Sequence, residues 1–230
     1  MTSLDIDMGN TRTKWRFGGS VGALRSPEVP DLNIEPSRVR VATVLRNRDV
    51  LARVIADRYG VVAEFAATAA ELGGVRCGYP NPARLGVDRW LGVVAAWHRS
   101  RGPVVVISAG TAATVDFVDA NGRHEGGHIA PGLRLLQDVL DRKTADVRPQ
   151  GSVELCAAPG TDTETAVSSG TFLMFTAFAE AVAKRFAARH GQDAEVFVTG
   201  GDADLLADSL SMPVRCEPHL VLDGLEIALP

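Results

Sequence analysis

The order of apolar and polar positions predicts an α/β protein that begins with a β-hairpin. Leu4 to Asp7 and Lys14 to Phe17 are strand-like runs on either side of a polar Gly-Asn-Thr turn. Further strands are predicted at 39–45 and 61–65, and helices at 49–59 and 89–99. The predicted apolar face of the helix at 49–59 consists of Val50, Val54 and Ile55.

The same plan starts again near residue 103. A buried strand at 103–107 is followed by a Gly-Thr turn, a second strand at 113–118 and a hairpin turn at Asn121-Gly122. The remaining predicted elements are a helix at 133–140, a long helix at 163–189 with a break near Gly170, a strand at 195–199 and a helix at 202–210. Because each half opens with strand–turn–strand, the chain is predicted to form two α/β lobes, residues 1–102 and 103–230.

Composition and net charge limit the kinds of molecule that the chain is expected to bind. Apolar residues make up 46% of the chain and charged residues 23%, which is typical of a soluble globular protein. The net charge of -4 and the pI of about 5.7 do not favour nucleic acid, so an anionic nucleotide would need local donors. No apolar run of about 18 residues and no signal-peptide pattern is present, so we expect no membrane span and a cytoplasmic protein.

The cysteines do not predict a disulfide framework or a zinc site. Cys77, Cys156 and Cys216 lie far apart and form no CxxC pair.

The first hairpin turn carries residues that suit a phosphate group. Gly9 at the tip lets the backbone approach phosphate oxygens, while Asn10 and Thr11 add side-chain donors. Lys14 supplies a positive charge, and Asp7 can hold Mg²⁺ directly or through water. A tight turn in which Asn10 and Thr11 bond their own backbone explains the same residues.

A second loop repeats this logic at the start of the second half. Ser108 precedes Gly110, and Thr111 and Thr114 follow it, so the loop offers contacts to the other side of a nucleotide phosphate chain. Two such loops facing each other across a cleft are the arrangement of the actin, hexokinase and Hsp70 superfamily. Taken alone, each loop is more simply explained by a polar hairpin.

The segment Gly86-Val87-Asp88-Arg89 stands just before a predicted buried helix. The Asp88 carboxylate can accept the proton of a substrate hydroxyl that attacks a γ-phosphoryl group. The Arg89 guanidinium can bind a substrate carboxylate or phosphate. The alternative is that Asp88 caps the helix and Arg89 pairs with a surface acid.

Two glycine-rich segments are weaker candidates for ligand contact. Gly126 to Gly132 is predicted as a loop before a helix, and Gly200-Gly201 as a strand-to-helix turn where a base or ribose can pack. His128 is interpreted as a loop or packing residue, because a lone histidine is a weak signal.

Together these residues resemble the type III pantothenate kinases, the family that includes the Bvg accessory factor proteins. The resemblance runs from Asp7 to Gly224. It is strongest where the family's motifs follow in order, at Gly78-Tyr79, Leu85 to Trp90, Gly110 to Ala112 and Gly126 to Gly132.

The resemblance implies two RNase H-like lobes of the actin/hexokinase/Hsp70 class and a homodimer whose interface helps to form the pantothenate pocket. It implies that pantothenate is phosphorylated by ATP with Mg²⁺ to 4′-phosphopantothenate, the first step of coenzyme A synthesis. Asp88 corresponds to the proton acceptor. The segment from Asp7 to Lys14 and Thr111 correspond to ATP-binding positions, and the pantothenate-binding positions are Tyr79, Gly86, Val87, Asp88, Arg89 and Thr163.

Ser108 departs from the family pattern. The family has aspartate there, and that carboxylate binds an activating monovalent cation, K⁺ or NH₄⁺. A neutral hydroxyl is a poorer ligand for a hard cation. The sequence leaves three outcomes open: the cation is dispensable, another acid such as Asp116 compensates, or the chain is an attenuated or inactive regulatory relative. A related kinase with another hydroxyl-bearing acid as its substrate is a further alternative.

Overall fold

Two five-stranded sheets form the framework of the fold. The computed structural model describes residues 2–143, 155, 157–191 and 194–230, so Cys156 lies outside the described residues. The elements of the first half are β1 (Ser3–Met8), β2 (Arg12–Phe17), β3 (Ser20–Arg25), β4 (Arg38–Thr43), α1 (Arg48–Tyr59), β5 (Ala63–Phe65), β6 (Glu71–Leu72), β7 (Val75–Arg76), a 3-10 turn (Pro82–Arg84) and α2 (Val87–Ser100).

The second half repeats the strand–strand opening and ends in two helices. Its elements are β8 (Val104–Ala109), β9 (Ala112–Val118), β10 (His124–Pro131), α3 (Leu133–Lys143), α4 (Thr163–His190), β11 (Glu195–Gly200), α5 (Ala203–Ser209), β12 (Arg215–Cys216) and α6 (Leu220–Ala228).

The two sheets have the same strand order. The first runs β3-β2-β1-β4-β5 and the second β10-β9-β8-β11-β12, so the third strand is an edge and the first strand is central in both. In the first sheet β1 pairs antiparallel with β2 and parallel with β4. In the second sheet β8 pairs parallel with β11. A central strand thus carries the first loop of each sheet at its carboxyl end.

The chain divides into two compact units. The first unit contains Met1–Arg101, Val118–Gly126 and His219–Pro230, and the second contains Gly102–Phe117 and Gly127–Pro218. The lobes predicted from the sequence, 1–102 and 103–230, stay a prediction, and one division between the compact units falls between Arg101 and Gly102. However, the prediction assigned the segments at 118–126 and 219–230 to the second lobe.

Each unit has its own apolar core. In the first, Leu4, Ile6 and Val41 of the sheet pack with Leu51 and Ile55 of α1. In the second, strands β8, β9 and β11 pack with α4, whose Phe172, Phe175 and Phe186 are buried. The opposite face of the first sheet is charged: the buried Asp5 accepts hydrogen bonds from Arg40 at 2.7 and 3.0 Å. This face therefore carries a buried ion pair instead of an apolar cluster.

Several predicted elements differ from the structure. The prediction of the apolar face of α1 was wrong. Val50 and Val54 are 56% and 37% exposed, while Leu51 packs with Ile55 in the core. Both faces of this helix carry apolar residues, so spacing alone did not identify the packed one. The segment Gly126–Gly132 is mostly strand β10 at a sheet edge, where glycine and proline are tolerated.

Helix α4 continues through Gly170 without the predicted break. A Cβ at Gly170 would meet nothing within 4 Å, and the cost of one glycine is only about 1 kcal/mol. On either side, Ser169 and Thr171 donate hydrogen bonds to backbone carbonyls one turn back. Packing of the helix outweighs this local cost.

Helix α4 also bears on the expectation that no segment crosses a membrane. By length and composition alone, Thr163–His190 is able to span one, and 44% of its apolar window is buried inside the structure. A core helix of a soluble protein passes the same test, so this helix is weak evidence for a span.

Candidate functional site

The first loop is a tight turn at the end of the central strand of the first sheet. Asp7 is the penultimate residue of β1 and lies opposite Lys14 of β2. The backbone N–H of Gly9 donates to the Arg12 carbonyl at 3.0 Å, so this amide closes the turn. The tip residues Asn10 and Thr11 are exposed. The Gly9 amide is therefore engaged within the turn, and the accessible groups at the tip belong to Asn10 and Thr11.

The carboxyl group of Asp7 is strongly perturbed. Burial raises the pKa of Asp7 to about 7, with Lys14 opposing the rise and Asp88 adding to it. Such a shift means that the negative charge of Asp7 is poorly solvated and is repelled by a second carboxylate. Asp7, Lys14 and Asp88 come from β1, β2 and α2, and they form one electrostatic cluster in the first unit.

Asp88 lies in the first turn of α2 and is not the N-cap. Gly86 occupies that position, and no side chain caps the helix. Instead, Oδ1 of Asp88 accepts a hydrogen bond from the backbone N–H of Arg89 at 2.8 Å. A Cβ at Gly86 would stand 2.7 Å from that oxygen, so glycine leaves space for the carboxylate. Val87 is buried in the core, which makes it a packing residue in this structure.

Arg89 and Tyr79 form a second pair in the same unit. Nη1 of Arg89 donates to the Tyr79 hydroxyl at 3.2 Å, and the guanidinium carbon is 5.9 Å from the ring centroid. On its other side the Tyr79 ring stacks on His124, with centroids 6.0 Å apart. A Cβ at Gly78 would be 1.9 Å from the His124 carbonyl oxygen, so the chain passes too close for any other residue. The sequence carried no signal for His124 as a support of Tyr79.

The second loop occupies the corresponding position in the second unit, but its turn is one residue shorter. Ser108 is the penultimate residue of β8 and pairs with Thr199 of β11. The Gly110 N–H donates to the Ala112 carbonyl at 3.2 Å and closes this turn. Thr111 is exposed at the tip, and Thr114 is partly buried in β9.

Two other glycine segments converge on this second loop. The Gly132 N–H donates to the Thr111 carbonyl at 3.0 Å, and a Cβ at Gly132 would be 2.0 Å from the Gly110 carbonyl oxygen. Gly200 has a φ of 109°, and its Cβ would be 2.2 Å from the Ala109 carbonyl oxygen. The sequence motifs around residues 110, 132 and 200 are therefore neighbours. The close approach serves backbone packing.

Metal ligands are sparse. Among residues 2–143, 155, 157–191 and 194–230, no group of three or more His, Cys, Asp or Glu is placed to hold a metal ion. Asp116, the acid named above as the alternative cation ligand to Ser108, is 2% exposed in β9. The pair of Asp7 and Asp88 is a better candidate, because Mg²⁺ commonly takes one or two carboxylates together with substrate phosphates.

Thr163 begins helix α4. Its neighbour Asp162 is the N-cap, with Oδ1 accepting from the Thr165 N–H at 2.9 Å in a capping box. Thr163 itself is exposed, so its side chain is accessible to a ligand or another chain.

Comparison with known proteins points to one family. The family model described as type III pantothenate kinase matches residues 3–185. A type III pantothenate kinase from Pseudomonas savastanoi pv. phaseolicola is 38% identical over 246 residues, covering 99% of this chain and 98% of the relative. A second, from Azotobacter vinelandii, is 37% identical over 248 residues, covering 99% and 98%.

A solved structure supports the fold. A protein from Campylobacter jejuni, provisionally described as a Baf family transcriptional activator, superposes with a TM-score of 0.66, covering 97% of this chain and 95% of that one. At 20% identity it bears on the fold alone. Together with the repeated strand order, this likeness confirms the predicted α/β fold.

Proposed function

The chain belongs to the type III pantothenate kinase family, and from that premise we propose how its residues act. The reaction of this kinase is ATP plus pantothenate giving ADP and 4′-phosphopantothenate, the first step of coenzyme A synthesis. The observation that carries the site proposal is the meeting of Asp7, Lys14 and Asp88 in the first unit. These three groups offer the charges that phosphoryl transfer uses.

Asp88 is the proposed proton acceptor. As the pantothenate hydroxyl oxygen forms its bond to the γ-phosphorus, the bond from that phosphorus to ADP breaks and the hydroxyl proton passes to the Asp88 carboxylate. The Arg89 N–H contact to Oδ1 supports this role, because it holds the carboxylate in one orientation.

Asp7 is the proposed Mg²⁺ ligand. The donor set fits a divalent cation, since burial and the charge of Asp88 make the Asp7 carboxylate poorly stabilised on its own. Bound Mg²⁺ would neutralise charge on the transferred phosphoryl group. Lys14, opposite Asp7, is proposed to contact a terminal phosphate.

The two loops are proposed to bind nucleotide phosphate. In the first loop the proposed donors are Asn10 and Thr11, supported by their exposure beside a turn that the Gly9 amide closes. In the second, Thr111 and Thr114 are the proposed donors, and Gly110, whose amide closes the turn, is proposed to let the backbone approach the phosphate. The corresponding position of the two loops, each at the carboxyl end of a central strand, supports a common use.

Tyr79 and Arg89 are proposed to bind the carboxylate end of pantothenate. Their mutual hydrogen bond and the stacking of Tyr79 on His124 support this assignment, because both side chains are held before substrate arrives. Gly86 keeps space beside Asp88 open for the substrate, and the exposed Thr163 is a further proposed contact.

The residue at position 108 does not fit a K⁺ or NH₄⁺ site of the family kind. A serine hydroxyl is neutral and gives the cation no charge compensation. The kinase is proposed to work without a monovalent cation.

A homodimer is proposed on the exposed face of α4. Gly170, Leu173, Met174 and Ala177 are exposed at helical spacing, with Leu173 50% and Met174 61% accessible. Leu173→Glu should convert dimer to monomer in sedimentation experiments. Val62→Glu is the control, because Val62 is 83% exposed in the first unit.

The proposed location is the cytoplasm, where ATP is supplied.

The decisive experiment measures phosphopantothenate formation by the unaltered chain and by Asp88→Asn. We expect the variant to lose at least about 10²-fold in turnover while binding ATP normally. Asp49→Asn is the matched control, because Asp49 is also an acid in the first turn of a helix, α1. If Asp88→Asn keeps the unaltered rate, the proposed proton acceptor is wrong.

The same assay addresses the two alternatives. A regulatory protein without activity would form no product with any substrate, and nothing in the comparisons favours that reading. A panel of other hydroxyl-bearing acids identifies a kinase of different substrate preference, because Tyr79 and Arg89 by themselves define only an anion-binding pair.

A further inference from the structure

Two arginines face each other directly across the hairpin that carries the first loop. Arg12 of β2 and Arg25 of β3 are partners in the antiparallel register. Side chains of such partners lie on the same face, about 5 Å apart at Cβ, and like charges placed this way are destabilising. The arrangement is therefore costly unless an anion lies between them.

No acid in the described part of the chain neutralises this pair. Neither guanidinium has an ion pair with any described residue, although the neighbouring Arg16, Arg38 and Arg40 each bond an Asp or Glu carboxylate. Glu28, the nearest acid along the chain, donates its backbone N–H to the Arg25 carbonyl and makes no described ion pair with either arginine.

The pair lies beside the first loop. Arg12 and Lys14 are two residues apart on one strand, so they point to the same face, the face that also carries Asp7. Ser26, the residue after Arg25, connects the end of β3 to the first loop by two hydrogen bonds. Its N–H donates to the Thr11 carbonyl at 3.0 Å, and its Oγ donates to the Gly9 carbonyl at 2.6 Å. Arg12, Arg25 and Lys14 thus form one cationic cluster next to the turn.

We propose that Arg12 and Arg25 form an anion subsite that binds the phosphate chain of the nucleoside triphosphate held at the Gly9–Thr11 turn. The proposal rests on the proposed function, in which this turn contacts ATP. Two guanidinium groups beside a lysine match a multiply charged triphosphate better than the single carboxylate of pantothenate. The subsite accounts for a like-charge pair that the fold itself does not need.

Direct binding to the full chain tests the subsite without requiring turnover. The variants are Arg12→Gln, Arg25→Gln and their combination. The control is Arg53→Gln, which removes the same charge from an exposed position on α1. We expect the dissociation constant for ATP to rise about fivefold in each single variant and roughly twentyfold in the double variant, with the control within about twofold.

A comparison of ATP with AMP shows whether the two arginines act on the phosphate chain. AMP affinity should change by less than about twofold in every variant, and the salt dependence of ATP binding should weaken in the double variant. Thermal unfolding without nucleotide should show the double variant at least as stable as the unaltered chain, because a repulsion has been removed.

Three results with the variants would overturn the subsite. These are unchanged ATP affinity in the double variant, an equal loss for AMP, or a rise confined to the KM for pantothenate. Absence of ATP binding by the unaltered chain would also overturn it. Phosphopantothenate formation measured on the same preparations at saturating ATP reports the proposed function separately, so a working kinase with no effect of the arginines identifies failure of the subsite alone.

Discussion

Asp7 and Ser108 occupy the same position in the two sheets. Each is the penultimate residue of a six-residue central strand, two positions before the glycine whose amide closes a turn. In the first sheet this position carries a carboxylate with a pKa raised to about 7 by burial, next to Lys14 and Asp88. In the second it carries a neutral hydroxyl. The repeated backbone therefore presents two different chemistries.

The surroundings of the two turns differ as well. The first turn is bordered by charged side chains, including Lys14, Arg12 and Arg25. The second is bordered by backbone, because Gly132 and Gly200 bring other segments against Gly110 and Ala109. We infer that the first loop depends on charge and the second on close backbone packing. Four predictions test this difference.

The largest expected effect is the loss of activity when the charge of Asp7 beside the first loop is removed. Asp7→Asn should lower kcat/KM for ATP by roughly 10²-fold to 10³-fold, because it removes the proposed Mg²⁺ ligand. The equivalent change in the second sheet, Ser108→Ala, should cost less than about threefold in the same assay. Similar losses from both variants would contradict a division of labour between the loops.

The second-largest expected effect is the loss of stability when backbone packing at the second loop is disturbed. Gly132→Ala should destabilise the protein by about 3 kcal/mol in denaturant unfolding, since its Cβ would stand 2.0 Å from a carbonyl oxygen. Gly110→Ala is the control, because its Cβ would meet the Ala112 carbonyl oxygen only at 3.7 Å. We expect that variant to lose less than about 1 kcal/mol. A mild Gly132→Ala would show that the close approach is easily relaxed.

The raised pKa of Asp7 predicts a pH-dependent stability. From about pH 4 to pH 7 the unfolded chain ionises Asp7 while the folded chain stays protonated, so stability falls as pH rises through this window and the loss is complete above pH 7. Asp7→Asn removes the penalty. Relative to the unaltered chain without Mg²⁺, it should gain about 4 kcal/mol at pH 8 over its difference at pH 4.

Chemical denaturation at the two pH values measures that gain. Asp49→Asn controls for the loss of one acidic charge elsewhere in the first unit. A gain for Asp7→Asn that is equal at pH 4 and pH 8 would mean that ionisation of this carboxyl is not its cause.

The smallest effect concerns the monovalent cation. Turnover of the unaltered chain should differ by less than about twofold between K⁺ and a bulky organic cation, because Ser108 supplies no charge. Ser108→Asp should introduce stimulation by K⁺ of roughly threefold or more. ADP release under both conditions measures this. Strong K⁺ stimulation of the unaltered chain would show that another group, such as Asp116, serves the cation.

Much of the framework was predictable from local pattern. The β1–β2 hairpin follows from apolar runs around a polar turn, and that hairpin alone sets Lys14 opposite Asp7. Strand β8 and the long helix α4 follow in the same way. Local pattern gave the wrong prediction where tertiary packing determines the outcome. The two cases are the buried face of α1 and the unbroken helix α4 at Gly170.

The clusters depend on residues distant in the chain. Helix α6, which the sequence left as an undefined tail, packs on α2 in the first unit, and Gly224 permits this because its Cβ would meet the Leu91 carbonyl oxygen at 2.2 Å. The contact of Tyr79 with His124 spans 45 positions, and no periodicity reports it. Such contacts are set by how elements pack.

By itself the sequence determined the family, the α/β class, the two turns and the departure at Ser108, because these rest on residue identity and short-range spacing. Only the tertiary structure decided that Asp88 raises the pKa of Asp7, that Arg25 stands beside the first loop and that Gly132 packs on Gly110. The physical reason is range. Turns and strands are governed by neighbours a few residues away, whereas burial and charge interactions depend on which distant segments the fold brings together.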